Sequence, residues 1–358
     1  DEQAEALFSY TDGWIIALQM IWQRLQASKS KNLDNILEKL PNVLPEVFDF
    51  LAQEVLLRQP EQIQQFLLST AILQQMDEGI CNYLLDIDFS SEILQELLDK
   101  ALFIFTTDNK NFRYQRLFQD FLLKKGKDSS LLLPNLQQKA ADYYCSIQNY
   151  EDAVYHLFCI ENLEAAANII KMIGPKMLEM GRLRTISKWI ERLNETQLTL
   201  HPSLNLLMGD VLRLKSKFEE SLTFYNKAEN IYLNNKDLLG RSETLRRKAQ
   251  IYLDTVRPLK ASSLLEEAIR LLEPHEYPEL VAALLDQLSE NKLNQGKPNE
   301  ARDLHKEASM LRSESYPDDI YLNARAMLRT GELQEGRILL ETAMQNGLNV
   351  LLDRPQRF

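Results

Sequence analysis

Ser221-Leu222-Thr223-Phe224-Tyr225-Asn226-Lys227-Ala228, Ala261-Ser262-Ser263-Leu264-Leu265-Glu266-Glu267-Ala268, Ala301-Arg302-Asp303-Leu304-His305-Lys306-Glu307-Ala308 and Gly336-Arg337-Ile338-Leu339-Leu340-Glu341-Thr342-Ala343 are four writings of one pattern. Each begins on a small residue, carries a bulky one four places on and a second small one seven places on. The starts are 40, 40 and 35 residues apart. Twelve residues before each start stands another small residue: Gly209, Ala249, Ser289 and Ala324.

Small residues at this spacing let two antiparallel helices approach closely, while the bulky ones fill the gaps between them. The pattern predicts tetratricopeptide-like helix pairs from Leu204 to Met344. Gly240, Pro258, Gly296-Lys297-Pro298 and Gly331 read as breakers at the helix–helix turns. An earlier, weaker repeat is marked by Ala153, with Ala141 and Tyr144 on one helix and Leu157 and Ile160 on the next. A less regular pair covers Leu163–Leu193, with Gly181 at its turn and Trp189 in its core.

Before the repeats the pattern changes. Residues 61–126 read as helices at Glu61–Thr70, Asp77–Leu85 and Ser90–Lys100, the last capped by Ser90 or Ser91. Leu102–Thr106 and Phe112–Tyr114 then read as a hairpin turning at Asp108-Asn109-Lys110, followed by a helix over Arg116–Lys125. Three helices and a hairpin make a winged helix. Its third helix carries Glu92, Glu96 and Asp99 against a single base, Lys100, so phosphates would be repelled and no nucleic-acid contact is expected from it. Lys124–Ser130 reads as a linker. The fold class is therefore mainly α: a helical arm over residues 1–60, a winged helix over 61–126 and a tetratricopeptide-like α-solenoid, a superhelix, over 131–358.

Composition narrows the function classes. The 358 residues carry a formal charge of −11, which argues against a broad nucleic-acid or anionic-membrane surface. Twelve basic and twenty acidic side chains fall in residues 1–128, so most of the net charge sits there. Cys81, Cys145 and Cys159 have neither disulfide-framework nor metal spacing, and a reduced, cytoplasmic chain is expected. His156, His201, His275 and His305 show no metal spacing, and no nucleophile–base arrangement can be assembled. No uncharged apolar run reaches the length of a membrane span.

Thr11-Asp12-Gly13-Trp14-Ile15-Ile16-Ala17-Leu18-Gln19, Phe50–Leu56, Gln65–Leu73, Leu102-Phe103-Ile104 and Phe112–Leu122 resemble, in that order, blocks of the large ATP-binding regulators related to the maltose activator MalT. These are signal-transduction ATPases with numerous domains. The resemblance implies a nucleotide-binding domain, an arm, a winged helix, a repeat sensor and an output domain, commonly a LuxR-type helix-turn-helix. The chain reads as arm, winged helix and sensor of a longer regulator. No G-x-x-x-x-G-K-[ST] occurs, so no enzyme activity and no cofactor are expected of this piece, with ATP and ADP belonging to the full-length protein. By resemblance Trp14, Ile15 and Gln115 lie near the nucleotide. Gln115 stands where the family usually has a histidine touching the β-phosphate of ADP, and Ile15 where it often has proline.

The effector surface expected is the concave side of the superhelix. Counting from the small residue of each first helix places Asp210, Arg213, Arg246, Gln250, Asp286, Glu290, Tyr321 and Arg325 along one groove. Mixed charge with an aromatic suits a small polar inducer or a peptide. The partners expected are that inducer and the regulator's own nucleotide-binding domain. The alternatives are a repeat scaffold for a protein partner, or the sensor of a signalling or defence ATPase without a DNA output.

Overall fold

The computed structural model describes residues 52–53, 55–100, 102–106, 110–128, 133–312, 324 and 327–345. Nearly all of the expected arm, and the Asp108-Asn109 turn, lie outside the described residues. Two compact units divide between Ala166 and Ala167.

The first unit holds α1 (Glu61–Thr70), α2 (Glu78–Leu85), α3 (Ser90–Asp99), β1 (Ile104–Thr106), β2 (Phe112–Tyr114) and α4 (Arg116–Asp128). Apolar residues at helical spacing, Ile63, Phe66 and Leu67 on α1 and Ile93, Leu94 and Leu97 on α3, turn one face of each helix inward. The strands pair antiparallel with Ile104 opposite Tyr114 and Thr106 opposite Phe112. Met76 forms a separate antiparallel bridge to β2, exchanging main-chain hydrogen bonds of 2.9 and 2.8 Å with Phe112. Phe118, Phe121 and Leu122 of α4 close the core at 0–2% exposure. Burying each such side chain stabilises the unit by about 1.5–3 kcal/mol. Polar groups inside are matched: the Tyr114 and Thr70 hydroxyls share a 2.7 Å hydrogen bond, and the Gln119 amide donates to the Ala71 and Leu73 carbonyls at 2.8 Å.

Three local expectations need correction. Asp77 caps α2, its carboxylate accepting from the Ile80 N–H at 3.0 Å. Phe89, not a serine, precedes α3, because Ser90 is buried and its hydroxyl donates to Asn82 Oδ1 at 2.5 Å. The supposed linker is helical as far as Asp128: Gly126 is buried in α4, where an added Cβ would lie 3.6 Å from Leu133.

Next come α5 (Leu133–Ser146) and α6 (Tyr150–Cys159), with Ala141, Ala153 and Tyr144 buried as their repeat pattern requires. α5 packs on α2, where Lys139 pairs with Asp86 at 2.6 Å. This pair thus lies in the same compact unit as the winged helix.

α7 (Leu163–Glu179) crosses the divide. The second unit continues with α8 (Leu183–Glu191), a short α9 (Glu195–Leu200), α10 (Pro202–Leu214), α11 (Phe218–Asn234), α12 (Leu238–Asp254), α13 (Pro258–Arg270), α14 (Pro278–Asn294), α15 (Pro298–Leu311) and α16 (Leu333–Gln345). Trp189 is only half-buried, while Ile186 and Ile190 of the same helix fill the interior.

The paired helices α10/α11, α12/α13 and α14/α15 are the A and B helices of three repeats. At the marker positions Ser221, Ala249, Ala261, Ser289 and Ala301 are at most 1% exposed. The contact is close: a Cβ on Gly209 would sit 2.2 Å from the Tyr225 ring. Hydroxyls at these positions bond across the pair. Ser221 donates to the Gly209 carbonyl at 2.7 Å and Ser289 to the Ala301 carbonyl at 2.6 Å. Gly240 proves not to be a turn residue. It lies in the first turn of α12, capped by Asp237, and its missing Cβ makes room for the Tyr232 ring.

Candidate effector groove on the A helices

The A helices α10, α12 and α14 carry the expected groove residues on one side, where consecutive helices are tied together by polar side chains. Arg213 Nη1 on α10 meets Asp254 Oδ2 on α12 at 2.8 Å. The other oxygen of Asp254 accepts from Gln250 Nε2 at 3.0 Å. Gln250 Oε1 in turn accepts from Gln287 Nε2 on α14 at 2.8 Å. The chain Arg213–Asp254–Gln250–Gln287 therefore spans three A helices.

A second, deeper cluster lies beside it. Asp210 is 5% exposed, accepts from the Tyr225 hydroxyl at 2.6 Å and pairs with Arg247. Glu243 receives both Arg246, through Nε and Nη2 at 2.8 Å each, and Arg247 at 2.9 Å. Burial pushes the Asp210 carboxyl above its ordinary range, against the pull of Arg247, the Tyr225 hydroxyl and Arg213. Burial and the neighbouring Asp210 likewise raise the Tyr225 phenol. Glu243 goes the other way: burial would raise it, but the guanidiniums of Arg246 and Arg247 hold it below the usual range.

On α14, Asp286 accepts from His305 Nδ1 at 2.8 Å and pairs with Arg312. His305, expected as a packing residue of the B helix, is 3% exposed and also serves as a polar partner of a groove residue. Glu290 is half-buried on the same helix. Tyr321 and Arg325, like Trp14 and Ile15, lie outside the described residues. Gln115 is 2% exposed at the end of β2, where its main-chain N–H donates to the Phe103 carbonyl at 2.8 Å.

The structure therefore places Arg213 and Gln250 in one network and Asp210 and Arg246 in the neighbouring one. It corrects the expectation that Asp210 lines an open surface. That carboxylate is sealed between Tyr225 and Arg247. Arg247, Glu243, Asp254 and Gln287 were not anticipated, although a signal existed. Asp210 and Arg247 are 37 residues apart, as are Gln250 and Gln287, and Arg213 and Asp254 are 41 apart. Complementary side chains about one repeat apart mark contacts between successive A helices.

Such a surface offers exchangeable donors and acceptors with its charges already matched internally. Two other features lie elsewhere. A cleft of about 370 Å³ is lined by Ser216–Glu220, Leu222, Ile251, Tyr252, Thr255 and Arg257, and no groove residue borders it. The outer face of α3 presents Ser91, Glu92, Gln95, Glu96 and Asp99, with Lys100 paired to Glu96. Among the described residues no helix is long and apolar enough to cross a membrane.

Residues 52–130 match the MalT winged helix domain family. Over 288 residues the chain is 23% identical to the HTH-type transcriptional regulator MalT of Serratia proteamaculans (strain 568), covering 79% of this chain and 32% of that protein. Over 294 residues it is 25% identical to MalT of Vibrio cholerae serotype O1, covering 78% and 32%. The chain thus spans about a third of the length of the curated relatives it matches. A solved signal transduction ATPase with numerous domains from Pyrococcus horikoshii, which has a tetratricopeptide repeat sensor, superposes with a TM-score of 0.59 at 13% identity. It covers 92% of this chain and 54% of its own, a likeness of fold.

Proposed function

We propose that this chain, a relative of the MalT regulators with their winged helix at residues 52–130, is the effector-sensing and autoinhibitory part of an ATP-dependent transcriptional activator. The observation that carries the reading is the Arg213–Asp254–Gln250–Gln287 chain across three A helices. A polar inducer entering the groove must take over some of these bonds, and doing so changes how consecutive repeats are tied together. Only a difference in affinity between the two arrangements can drive a switch, and couplings of this kind are typically about 1–3 kcal/mol.

In this reading the repeats hold the regulator's own nucleotide-binding domain at rest. Inducer binding releases it for ATP binding and oligomerisation in the cytoplasm, and a DNA-binding output of LuxR type acts afterwards. The piece itself is a switch, not an enzyme, and needs no metal or cofactor. ATP and ADP act on the full-length protein. The test is calorimetric titration of the chain with metabolites selected by thermal shift, followed by the same titration on Gln250→Ala. Loss of affinity by about 1.5–3 kcal/mol is expected for an Arg contact such as Arg246→Ala if the bond is charge-assisted, and less for the neutral Gln250. Unchanged affinity in both variants would move the site off the groove.

A further inference from the structure

The turns that join helix A to helix B obey one rule in the first and third repeats and break it in the second. The first turn reads Ser216-Lys217-Phe218-Glu219-Glu220 and the third Gly296-Lys297-Pro298-Asn299-Glu300. In each the cation pairs with the glutamate three residues on, Lys217 with Glu220 and Lys297 with Glu300, both at 2.9 Å. The second turn reads Val256-Arg257-Pro258-Leu259-Lys260. A lysine stands where the others have the glutamate, and neither Arg257 nor Lys260 makes an ion pair among the described residues.

The apolar residues of this turn are just as irregular. Val256 is 84% and Leu259 77% exposed, in positions where the other turns have serine or glycine and glutamate or asparagine. Val256 also holds a φ of 55°, a left-handed conformation that a β-branched side chain adopts only under strain. The third repeat uses Gly296 there, at φ 77°. Local stability thus favours a different residue at three of these five positions. Of this turn Arg257 lines the cleft of about 370 Å³, whose walls also include Phe218, Leu222, Ile251 and Tyr252 and, with them, Glu219 and the paired Lys217 and Glu220. Lys260 stands beside it, its ammonium 5.5 Å from the centre of the Tyr252 ring.

We propose that the second A–B turn and its cleft form a docking surface for an acidic segment of a partner protein that carries a large apolar side chain. The apolar side chain enters the cleft against Phe218, Leu222 and Tyr252, with Val256 and Leu259 covering it. The carboxylates of the segment supply Arg257 and Lys260 with the counter-charge that Glu220 and Glu300 give within the other repeats. Charge complementarity selects the partner through Arg257 and Lys260, which make no ion pair of their own among the described residues.

The test uses a variant built to resemble the neighbouring turns: Val256→Gly, Leu259→Asn and Lys260→Glu together. Glycine relieves the left-handed strain and the new glutamate restores the ion pair to Arg257, so the variant should melt no lower than the parent chain. The probe is a fluorescein-labelled octapeptide with a Phe-Leu pair between two runs of aspartate and glutamate, followed by fluorescence anisotropy. The parent chain should bind it at micromolar concentration, more weakly as salt rises, and the variant at least tenfold more weakly. A control octapeptide with the apolar pair replaced by serines should also bind at least tenfold more weakly. No binding to the parent, equal binding to parent and variant, or equal binding of the two peptides would overturn the proposal. So would a concentration-dependent dimer of the parent, absent in the variant, which would make the patch a contact between copies of the chain.

Discussion

The Tyr225 hydroxyl lies 2.6 Å from Asp210 Oδ1, joining the bulky position of a B helix to a buried carboxylate of its A helix. Arg247, from the next A helix, takes the other oxygen. One contact thus couples packing within a repeat to the tie between repeats. Tyr225→Phe keeps the ring against Gly209 and removes only the donor. A loss of about 1–3 kcal/mol is expected in urea unfolding, because Asp210 is left with an unmet acceptor in a buried site. Unchanged stability would mean that Arg247 alone satisfies the carboxylate.

Gly209→Ala tests the close approach itself. The added Cβ falls 2.2 Å from a carbon of the buried Tyr225 ring, which cannot swing out to solvent. Overpacking of this kind costs about 1–3 kcal/mol. A variant as stable as the parent would show that α10 and α11 can separate freely.

His156 sets an acid limit on the first unit. It is 1% exposed, stacked on Tyr144 with ring centres 5.5 Å apart, and hydrogen-bonded through Nδ1 to Gln137 at 2.5 Å. Burial lowers its pKa from 6.5 to about 4. Between those values the unfolded chain binds the extra proton, so this contribution is present above pH 6.5 and is lost as pH falls towards 4, by about 3 kcal/mol in all. Melting of His156→Phe between pH 7 and 4 should show a shallower decline than the parent. Parallel curves would mean that other groups carry the acid response.

The acidic outer face of α3 leads to a further expectation. An electrophoretic shift of double-stranded DNA with the chain at physiological salt should show nothing, as Glu92, Glu96 and Asp99 outnumber Lys100 there. Salt-sensitive binding at micromolar concentration would assign the winged helix a different role.

The repeats were legible because their small residues answer to one constraint, the distance between two helix axes, which recurs at every pair. The winged helix was legible where apolar period and turn chemistry changed together. Ser90 and Gly126 misled because capping and flexibility are the usual uses of those residue types, whereas here each fits a buried contact. The groove was half legible. Helical counting put Arg213, Arg246 and Gln250 on A helices beside one another's polar partners, but counting within one helix says nothing about the helix beside it. Asp210 is buried by Arg247 of the next repeat, and Asp254 and Gln287 enter for the same reason.

The central claim is that the A-helix groove receives an effector by exchanging the bonds that tie successive repeats. The most direct measurement is a thermal-shift screen of a polar metabolite library against the parent chain, Arg213→Ala and Gln250→Ala in parallel. Each variant alone should cost no more than about 1 kcal/mol, since Arg213 and Asp254 are partly exposed. The account predicts at least one compound that raises the melting temperature of the parent and loses most of that shift in both variants. A library without such a compound, or shifts of equal size in all three proteins, would contradict it.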